Sequence, residues 1–78
     1  MPRYYFDLHQ DGVIHPDREG VDFSSVIAAR VEGARTIIGM LREPRDGLAR
    51  ELKFVVRRGD GWVFDVQGSV QFRPPSSN

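Results

Sequence analysis

Three polar side chains near the N-terminus are the first candidates for chemistry. Asp7, His9 and His15 flank an Asp-Gly pair. A hairpin there would gather them on one sheet face, with Asp7 opposite His15 and His9 diagonal to it. Two imidazoles and a carboxylate can bind a metal ion or form a His–Asp proton-transfer pair. Any hairpin with a polar face has this spacing, so we expect a titrating surface cluster with no catalytic or metal role.

The second candidate is Pro2, whose secondary amine becomes free if Met1 is removed. Tautomerases of the oxalocrotonate type use such a proline as a general base and bind acidic substrates with arginines. Arg3, Arg57 or Arg73 are available for that role. Those enzymes run strand, helix, strand, whereas a hairpin precedes the helix here. The enzyme hypothesis therefore stands as an alternative to a binding function.

The elements that must position these residues fit within one small domain. The chain has 78 residues, with 11 Lys and Arg balanced by 11 Asp and Glu. A protein that coats nucleic acid would carry a basic excess, so nucleic acid is not the expected partner. Cysteine is absent, and no apolar run is long enough to span a membrane. We expect a cytoplasmic protein without a cofactor.

Residues from Ser24 to about Leu41 form the predicted helix. Apolar residues recur there at steps of four and three, which predicts a single buried stripe. Asp22 or Ser24 is the expected N-cap, and Pro44 is expected to end the helix. The predicted stripe consists of Ile27, Val31, Ala34, Ile38 and Leu41.

Two hairpins flank the helix, and each contains an Asp-Gly pair. The first joins strands at 4–9 and 13–15, and the second joins strands at 52–57 and 62–67. Matching apolar faces predicts three-residue loops that end in a left-handed glycine, Gly12 or Gly61. The resulting partners are Leu8 with Ile14, Val56 with Phe64, and Phe54 with Val66.

The predicted fold class is α+β, with order ββαββ and one helix packed on a four-stranded antiparallel sheet of order 2-1-3-4. Residues 1–68 form the domain, and 69–78 are a C-terminal extension with a disordered end. The face beneath the helix should carry Tyr4, Phe6, Leu8, Ile14, Leu52, Phe54, Val56, Trp62, Phe64 and Val66.

The opposite sheet face is half apolar and has no helix to cover it. A partner is therefore expected on this face or along an edge strand. That partner is a second copy of the chain, forming a homodimer, or another protein. The predicted contacts are Tyr5, Val55, Val63, Val70 and Phe72.

Several short motifs point to a family. The chain opens Met1-Pro2-Arg3-Tyr4-Tyr5-Phe6, and Asp11-Gly12, Asp17-x-Glu19-Gly20-Val21 and Ala28-Ala29-Arg30 follow. Over positions 2 to 66 it resembles short alphaproteobacterial proteins of unknown function that open with Pro-Arg-Tyr-Tyr/Phe-Phe. It departs from them at Gly33, where they tend to have a better helix former. The resemblance implies a source and a fold, and it supplies no catalytic residues.

A second likeness concerns the layout of the elements. A hairpin, a Glu-Gly turn and an Ala-rich helix resemble the start of HicB-type antitoxin domains, which bind a partner with a small sheet. Arginines near the helix–strand loop and the second turn add a third hypothesis, an antitoxin-like or nucleic-acid-associated regulator. Acidic neighbours weaken such a basic field. The arginines concerned are Arg42, Arg45, Arg50, Arg57 and Arg58.

Overall fold

The computed structural model of the chain describes residues 1–43, 49–59, 61–73 and 75. One helix packs on an antiparallel sheet of five strands. The elements are β1 (Arg3–Gln10), β2 (Val13–His15), β3 (Val21–Asp22), α1 (Val26–Leu41), β4 (Ala49–Arg58) and β5 (Gly61–Gln71).

The sheet runs β2-β1-β4-β5, and β3 also pairs with β1. The α+β class with one helix on an antiparallel sheet is confirmed. The predicted four-strand count and order are incomplete, because they omit β3. Val21 and Asp22 pair with Tyr4 and Arg3 in a bridge too short to leave a strand pattern in the sequence.

The first hairpin has a two-residue turn, so its predicted register is wrong by one. Gln10 pairs with Val13, and His9 pairs with Ile14. Asp11 and Gly12 both have positive φ, at 49° and 86°. Two such residues form the mirror-image turn that matches the twist of a hairpin. As a result Ile14, predicted to lie beneath the helix, is 58% exposed.

The second hairpin has the predicted partners for a different reason. Val56 pairs with Phe64 and Phe54 pairs with Val66, as expected, but Arg58 already pairs with Gly61. A β-bulge between Val56 and Arg57 accommodates the extra residue, which alternation alone places in the loop. The positive φ lies at Gly59 and not at Gly61.

The bulge also moves Trp62 away from the helix side of the sheet. Trp62 pairs with Arg57, on the outer face, and 70% of its surface is exposed. Its indole Nε1 donates a hydrogen bond to Oδ1 of Asp65 at 2.9 Å. The assignment of Trp62 to the core was therefore wrong.

The helix begins after Ser25, whose hydroxyl accepts a hydrogen bond from the Ala28 N–H at 3.1 Å. The N-cap is thus neither Asp22 nor Ser24. The helix ends at Leu41, with Arg42 as C-cap. Pro44, the predicted stop, lies outside the described residues.

The helix face that packs on the sheet differs from the predicted one, although Leu41 of the predicted stripe does pack against the core. Ala29, Gly33 and Ile37 are buried. Of the predicted stripe, Ile27, Val31 and Ile38 are 69%, 51% and 59% exposed. Hydrophobic periodicity identifies apolar residues, but α1 is apolar on two neighbouring faces. The face with the smaller residues lies against the sheet, because bulky sheet side chains fill the space beneath it.

Two glycines mark the closest approach of α1 to the sheet. A Cβ on Gly33 would lie 3.1 Å from Cγ1 of Val66 and 3.3 Å from Cε2 of Phe6. A Cβ on Gly68 would lie 2.7 Å from side-chain carbons of Ile37 and Leu41. The helix therefore rests on β5 at two points.

The core between helix and sheet consists of fully and partly buried apolar residues. Tyr4, Leu52 and Val56 are completely buried. Three aromatic rings meet edge-to-face, with Phe6 5.6 Å from Phe54 and 6.0 Å from Phe23 between centroids. Among the described residues, no helix is long and apolar enough to cross a membrane.

The last strand continues into the segment predicted as a C-terminal extension. β5 runs to Gln71, so the alternating residues after Gly68 prolong it. The predicted disordered end falls largely on residues 74 and 76–78, which lie outside the described part of the chain.

Gly33 and Gly39, the two glycines within α1, give the first prediction. Gly33→Val should lower the free energy of unfolding by about 1–3 kcal/mol, because the added carbons overlap Val66 and Phe6. Gly39→Val is the matched control, since nothing lies within 4 Å of a Cβ there. It should raise stability by a few tenths of a kcal/mol through helix propensity. Urea unfolding measures both, and equal effects would contradict the close approach at Gly33.

Candidate interaction surface

An apolar stripe on the exposed side of α1 is the most prominent surface feature. We call Ile27, Val31, Ala34 and Ile38 the helix stripe. Its three large members are more than half exposed. Singly exposed apolar residues are ordinary, but a contiguous row of them usually marks a contact surface.

The helix stripe continues into a groove beside β5. Ile27, Val31 and Ala34 line one wall, and Phe64 and Val66 belong to the sheet side. Further along α1, Ile38 and Gly39 line a second depression, which shares Val31 and Ala34 with the groove. The partly buried sheet residues and the exposed helix residues therefore form one continuous apolar surface.

Charged side chains border this surface. Arg30 and Asp65 lie at the β5 end of the groove, and Arg35 and Arg42 lie beside Ile38. Arg35 also approaches Glu32 at 3.9 Å in an exposed pair. An apolar centre with an arginine-rich rim is the usual composition of a protein–protein contact.

β5 is the edge strand next to the groove. Among the described residues, β5 pairs only with β4, so its other side presents free backbone N–H and C=O groups. Of its eleven residues only Asp65 is charged, whereas five of the ten residues of β4 are charged. Edge strands are usually shortened or charged to prevent pairing, and β5 is neither.

On the opposite side of the sheet, two short strands and the loop between them cover β1. Asp17, in the loop between β2 and β3, accepts a hydrogen bond from the Phe6 N–H of β1 at 3.0 Å. Its other oxygen accepts from the N–H groups of Glu19 and Gly20, both at 3.1 Å. A carboxylate thus caps β1 between its two short partner strands. The two edges of the sheet therefore differ in length: short strands form one edge, and the long strand β5 forms the other.

Asp7 and Arg57 fix this loop to the outer face. Arg57 Nε donates to Asp7 Oδ2 at 2.7 Å, and Asp7 Oδ1 accepts from the Asp17 N–H at 2.9 Å. The Arg57 guanidinium also donates to the Asp17 carbonyl and lies 4.9 Å from the Tyr5 ring centre. Every one of these charged groups has an intramolecular partner.

Hydrogen bonds lower the pKa of both carboxyl groups. The Arg57 guanidinium holds the pKa of Asp7 below its ordinary value, with the Asp17 N–H contributing. Burial alone would raise the pKa of Asp17, but the N–H groups of Phe6, Gly20 and Glu19 together hold it low. Both groups are therefore structural anions at neutral pH.

The family match covers most of this architecture. A model of a domain of unknown function, DUF6894, matches residues 3–69. The chain belongs to the DUF6894 family. The match includes Arg3-Tyr4-Tyr5-Phe6 and the Asp17-x-Glu19-Gly20 loop. No curated protein and no solved structure is significantly similar to the chain.

In this DUF6894 chain the predicted Asp7–His9–His15 cluster does not form. His15 pairs with Leu8, so it lies on the opposite face from Asp7 and His9. Asp7 is paired with Arg57 instead. The one-residue difference in the turn is the reason, because it moves each β2 side chain to the other face.

The residues of the tautomerase hypothesis lie apart or are engaged. Pro2 is exposed, and its carbonyl accepts from the Phe23 N–H at 3.1 Å. Arg3 donates to Asp22 at 3.0 Å and to the Glu19 carbonyl at 2.9 Å. Arg57 is held by Asp7. The described residues therefore do not gather arginines around Pro2.

The predicted partner contacts fall into two groups. Tyr5, Val55 and Val63 are half-buried on the outer face or at the bulge. Val70 is half-buried in β5, and Phe72, just past the strand, is 66% exposed. Val70 and Phe72 thus extend the edge next to the groove.

Sequence reasoning missed the helix stripe as a surface. The signal that identifies it is the pair of small residues Ala29 and Gly33, which mark the neighbouring face as the one that packs closely. These two small residues allow α1 to approach the sheet closely, and Val26, Ile37 and Met40 pack around them against the core.

The Asp7–Arg57 pair gives the second prediction. At pH 7, Asp7→Asn should lower the free energy of unfolding by about 1 kcal/mol, a value reduced because Arg57 is partly exposed. A depressed folded-state pKa stabilises the fold above the unfolded value near 3.9, and this contribution disappears as the pH falls below it. The difference between the two proteins should therefore shrink at pH 3.

The control for this prediction is Asp22→Asn, which removes an ion pair on the surface. Asp22 and Arg3 are 42% and 53% exposed, so the change should be clearly smaller than for Asp7→Asn. Urea unfolding at both pH values measures the effects. A gap between wild type and Asp7→Asn that widened at pH 3 would contradict the assigned role of Asp7.

Proposed function

We propose that this DUF6894 chain is a non-enzymatic protein-interaction module. It binds through the helix stripe, the groove beside β5 and the free edge of that strand. The observation that carries the proposal is that the three surfaces are continuous. The most exposed apolar side chains of α1 lie beside β5, a long edge strand whose only charged residue is Asp65.

The state of the polar groups supports a binding function over a catalytic one. Asp7, Asp17, Arg3 and Arg57 each have a partner within the fold. Arg50 likewise donates to the Met40 carbonyl at 2.6 Å, behind the helix C-terminus. Polar groups that are hydrogen-bonded within the fold in this way stabilise its loops and are not free to act on a substrate.

The remaining parts of the proposal come from the sequence. The resemblance of the N-terminal segment indicates a bacterial, specifically alphaproteobacterial, source, and the composition indicates a cytoplasmic protein. The outer-face residues Tyr5, Val55 and Val63 are proposed as a secondary contact, on the other face of the same sheet.

The third prediction tests which surface binds. A photoreactive phenylalanine analogue is placed at position 31, at position 63 or at position 21. Val31 and Val21 are both 51% exposed, but Val21 lies at the opposite edge of the sheet. In an extract of the source cell, irradiation should yield adducts from position 31 and none from position 21. Mass spectrometry identifies the adducts, whether with a second copy or with another protein.

Competition provides the specificity control. Excess unlabelled wild-type chain should suppress the position-31 adducts, whereas Val31→Glu chain should not, because a charge is costly to bury at an apolar contact. Adducts from position 63 without any from position 31 would move the function to the outer face. The absence of adducts at both positions would overturn the interaction module.

A further inference from the structure

We infer that the occupant of this surface is a second copy of the chain, related by a two-fold axis that pairs β5 with β5 and α1 with α1. The inference rests on the proposed interaction function and names its partner. In this arrangement two five-stranded sheets become one continuous sheet, and the helix stripes meet above the junction.

The first argument is the coincidence of two midpoints. The middle residue of β5 (Gly61–Gln71) is Val66. The middle of the helix stripe falls between Glu32 and Gly33, and Gly33 is the helix residue that lies against Val66. If the whole of β5 and the whole of the helix stripe pair with their copies, the two-fold axis passes through the midpoint of each. Here a single axis beside Val66 serves both.

The second argument is the direction of α1 relative to β5. Ile27 and Val31 line the groove with Phe64, whereas Ile37 and Leu41 meet Gly68. The helix and the strand therefore advance along the sheet in the same direction. Antiparallel pairing of β5 with its copy makes the two helices antiparallel as well, so Ile27 of one copy faces Ile38 of the other.

The third argument is spacing. Neighbouring strands lie about 4.8 Å apart, and α1 contacts both β5 and β4. A helix seated over the boundary between those strands lies roughly 10 Å from its symmetry mate. Packed helices are 8–10 Å apart, so the stripes touch without displacing either helix.

The fourth argument is the chemistry of the paired strand. With Val66 on the axis, Asp65 faces Gln67 of the second copy, and Phe64 faces Gly68 of the second copy. No two charges of like sign meet across the strands, and the bulky ring faces the smallest residue. The single charge of β5 therefore finds a neutral hydrogen-bonding neighbour.

Arg30, Arg35 and Arg42, which border the helix stripe, distinguish a second copy from an acidic partner. In the two-fold arrangement Arg30 lies near Arg35 of the second copy, but Asp65 lines the same groove and Glu32 pairs with Arg35, so charge contributes little to assembly. Added salt, which shortens the Debye length to about 3 Å at 1 M, should maintain or strengthen the dimer. An acidic partner bound to the same rim would be released by salt.

The fourth prediction is the oligomeric state of the purified full chain. Sedimentation at tens of micromolar should give twice the 8.9 kDa chain mass, retained at 1 M salt. Val31→Glu should weaken the dimer by about tenfold or more, and Val21→Glu should leave it unchanged. Both positions are equally exposed, so circular dichroism should show a folded chain in each case.

Single cysteines then test the position of the axis, because the chain has none of its own. Val66→Cys should form an intermolecular disulfide on mild oxidation, since that residue meets itself across the axis. Val70→Cys is the control: its two copies would be roughly 27 Å apart, whereas a disulfide needs Cα atoms within about 7 Å.

The outcomes separate this inference from the function on which it rests. A dimer that persists in Val31→Glu, or that cross-links through position 70 but not position 66, overturns the two-fold arrangement. A monomer overturns it as well. If that monomer still gives position-31 adducts in cell extract, the interaction module stands with a different partner. If it gives none, both fail.

Discussion

The close approach of α1 to β5 decides which surfaces of this small domain are left open. With no side chain at Gly33 or Gly68, the helix lies directly on Val66 and brings Ile37 and Leu41 onto the strand. Once that face is buried, geometry places the helix stripe to one side of the sheet. The exposed row of apolar side chains is therefore a consequence of how the core packs.

The rest of the sheet is arranged around the same asymmetry. The Asp17 carboxylate satisfies the edge of β1 between β2 and β3, and the Asp7–Arg57 pair holds that loop in place. On that side the backbone groups of β1 have partners supplied by the chain itself. On the β5 side the chain supplies none among its described residues, although the strand is the longest in the sheet. Pairing with another strand would satisfy the open edge of β5.

Much of this architecture was predictable from the residue pattern, and the failures have specific physical causes. Alternation fixed the pairing of Val56 with Phe64, because only that register keeps apolar residues on one face. It did not reveal whether the extra residue lies in the loop or in a bulge, since both satisfy the same alternation. That ambiguity is why the residue pattern places Trp62 in the core.

The candidate surface was less predictable than the fold. Asp11-Gly12 permits either a two-residue or a three-residue loop, and the choice alone decides whether His15 joins Asp7. On the helix, Ile27 and Val31 have the hydrophobicity of core residues, while Ala29 and Gly33 have the size that close packing requires. Hydrophobic periodicity therefore favours Ile27 and Val31 as the residues buried against the sheet. Size complementarity to the aromatic sheet favours Ala29 and Gly33 instead. That complementarity depends on the helix and the sheet together, so the helix sequence alone does not reveal it.

The length of the chain makes this exposed surface more significant. A domain near this size buries only about 60% of the surface of its unfolded chain, so each uncovered apolar side chain is a large fraction of what can stabilise it. Ile27, Val31 and Ile38 contribute little to the isolated fold. They stabilise it only when covered, and a ligand that binds the folded state alone adds its binding free energy to folding. We propose that the second copy is that ligand. The free energy of unfolding of the domain then rises with the protein concentration. The side chains that the dimer buries are Ile27, Val31 and Ile38, which the monomer leaves exposed.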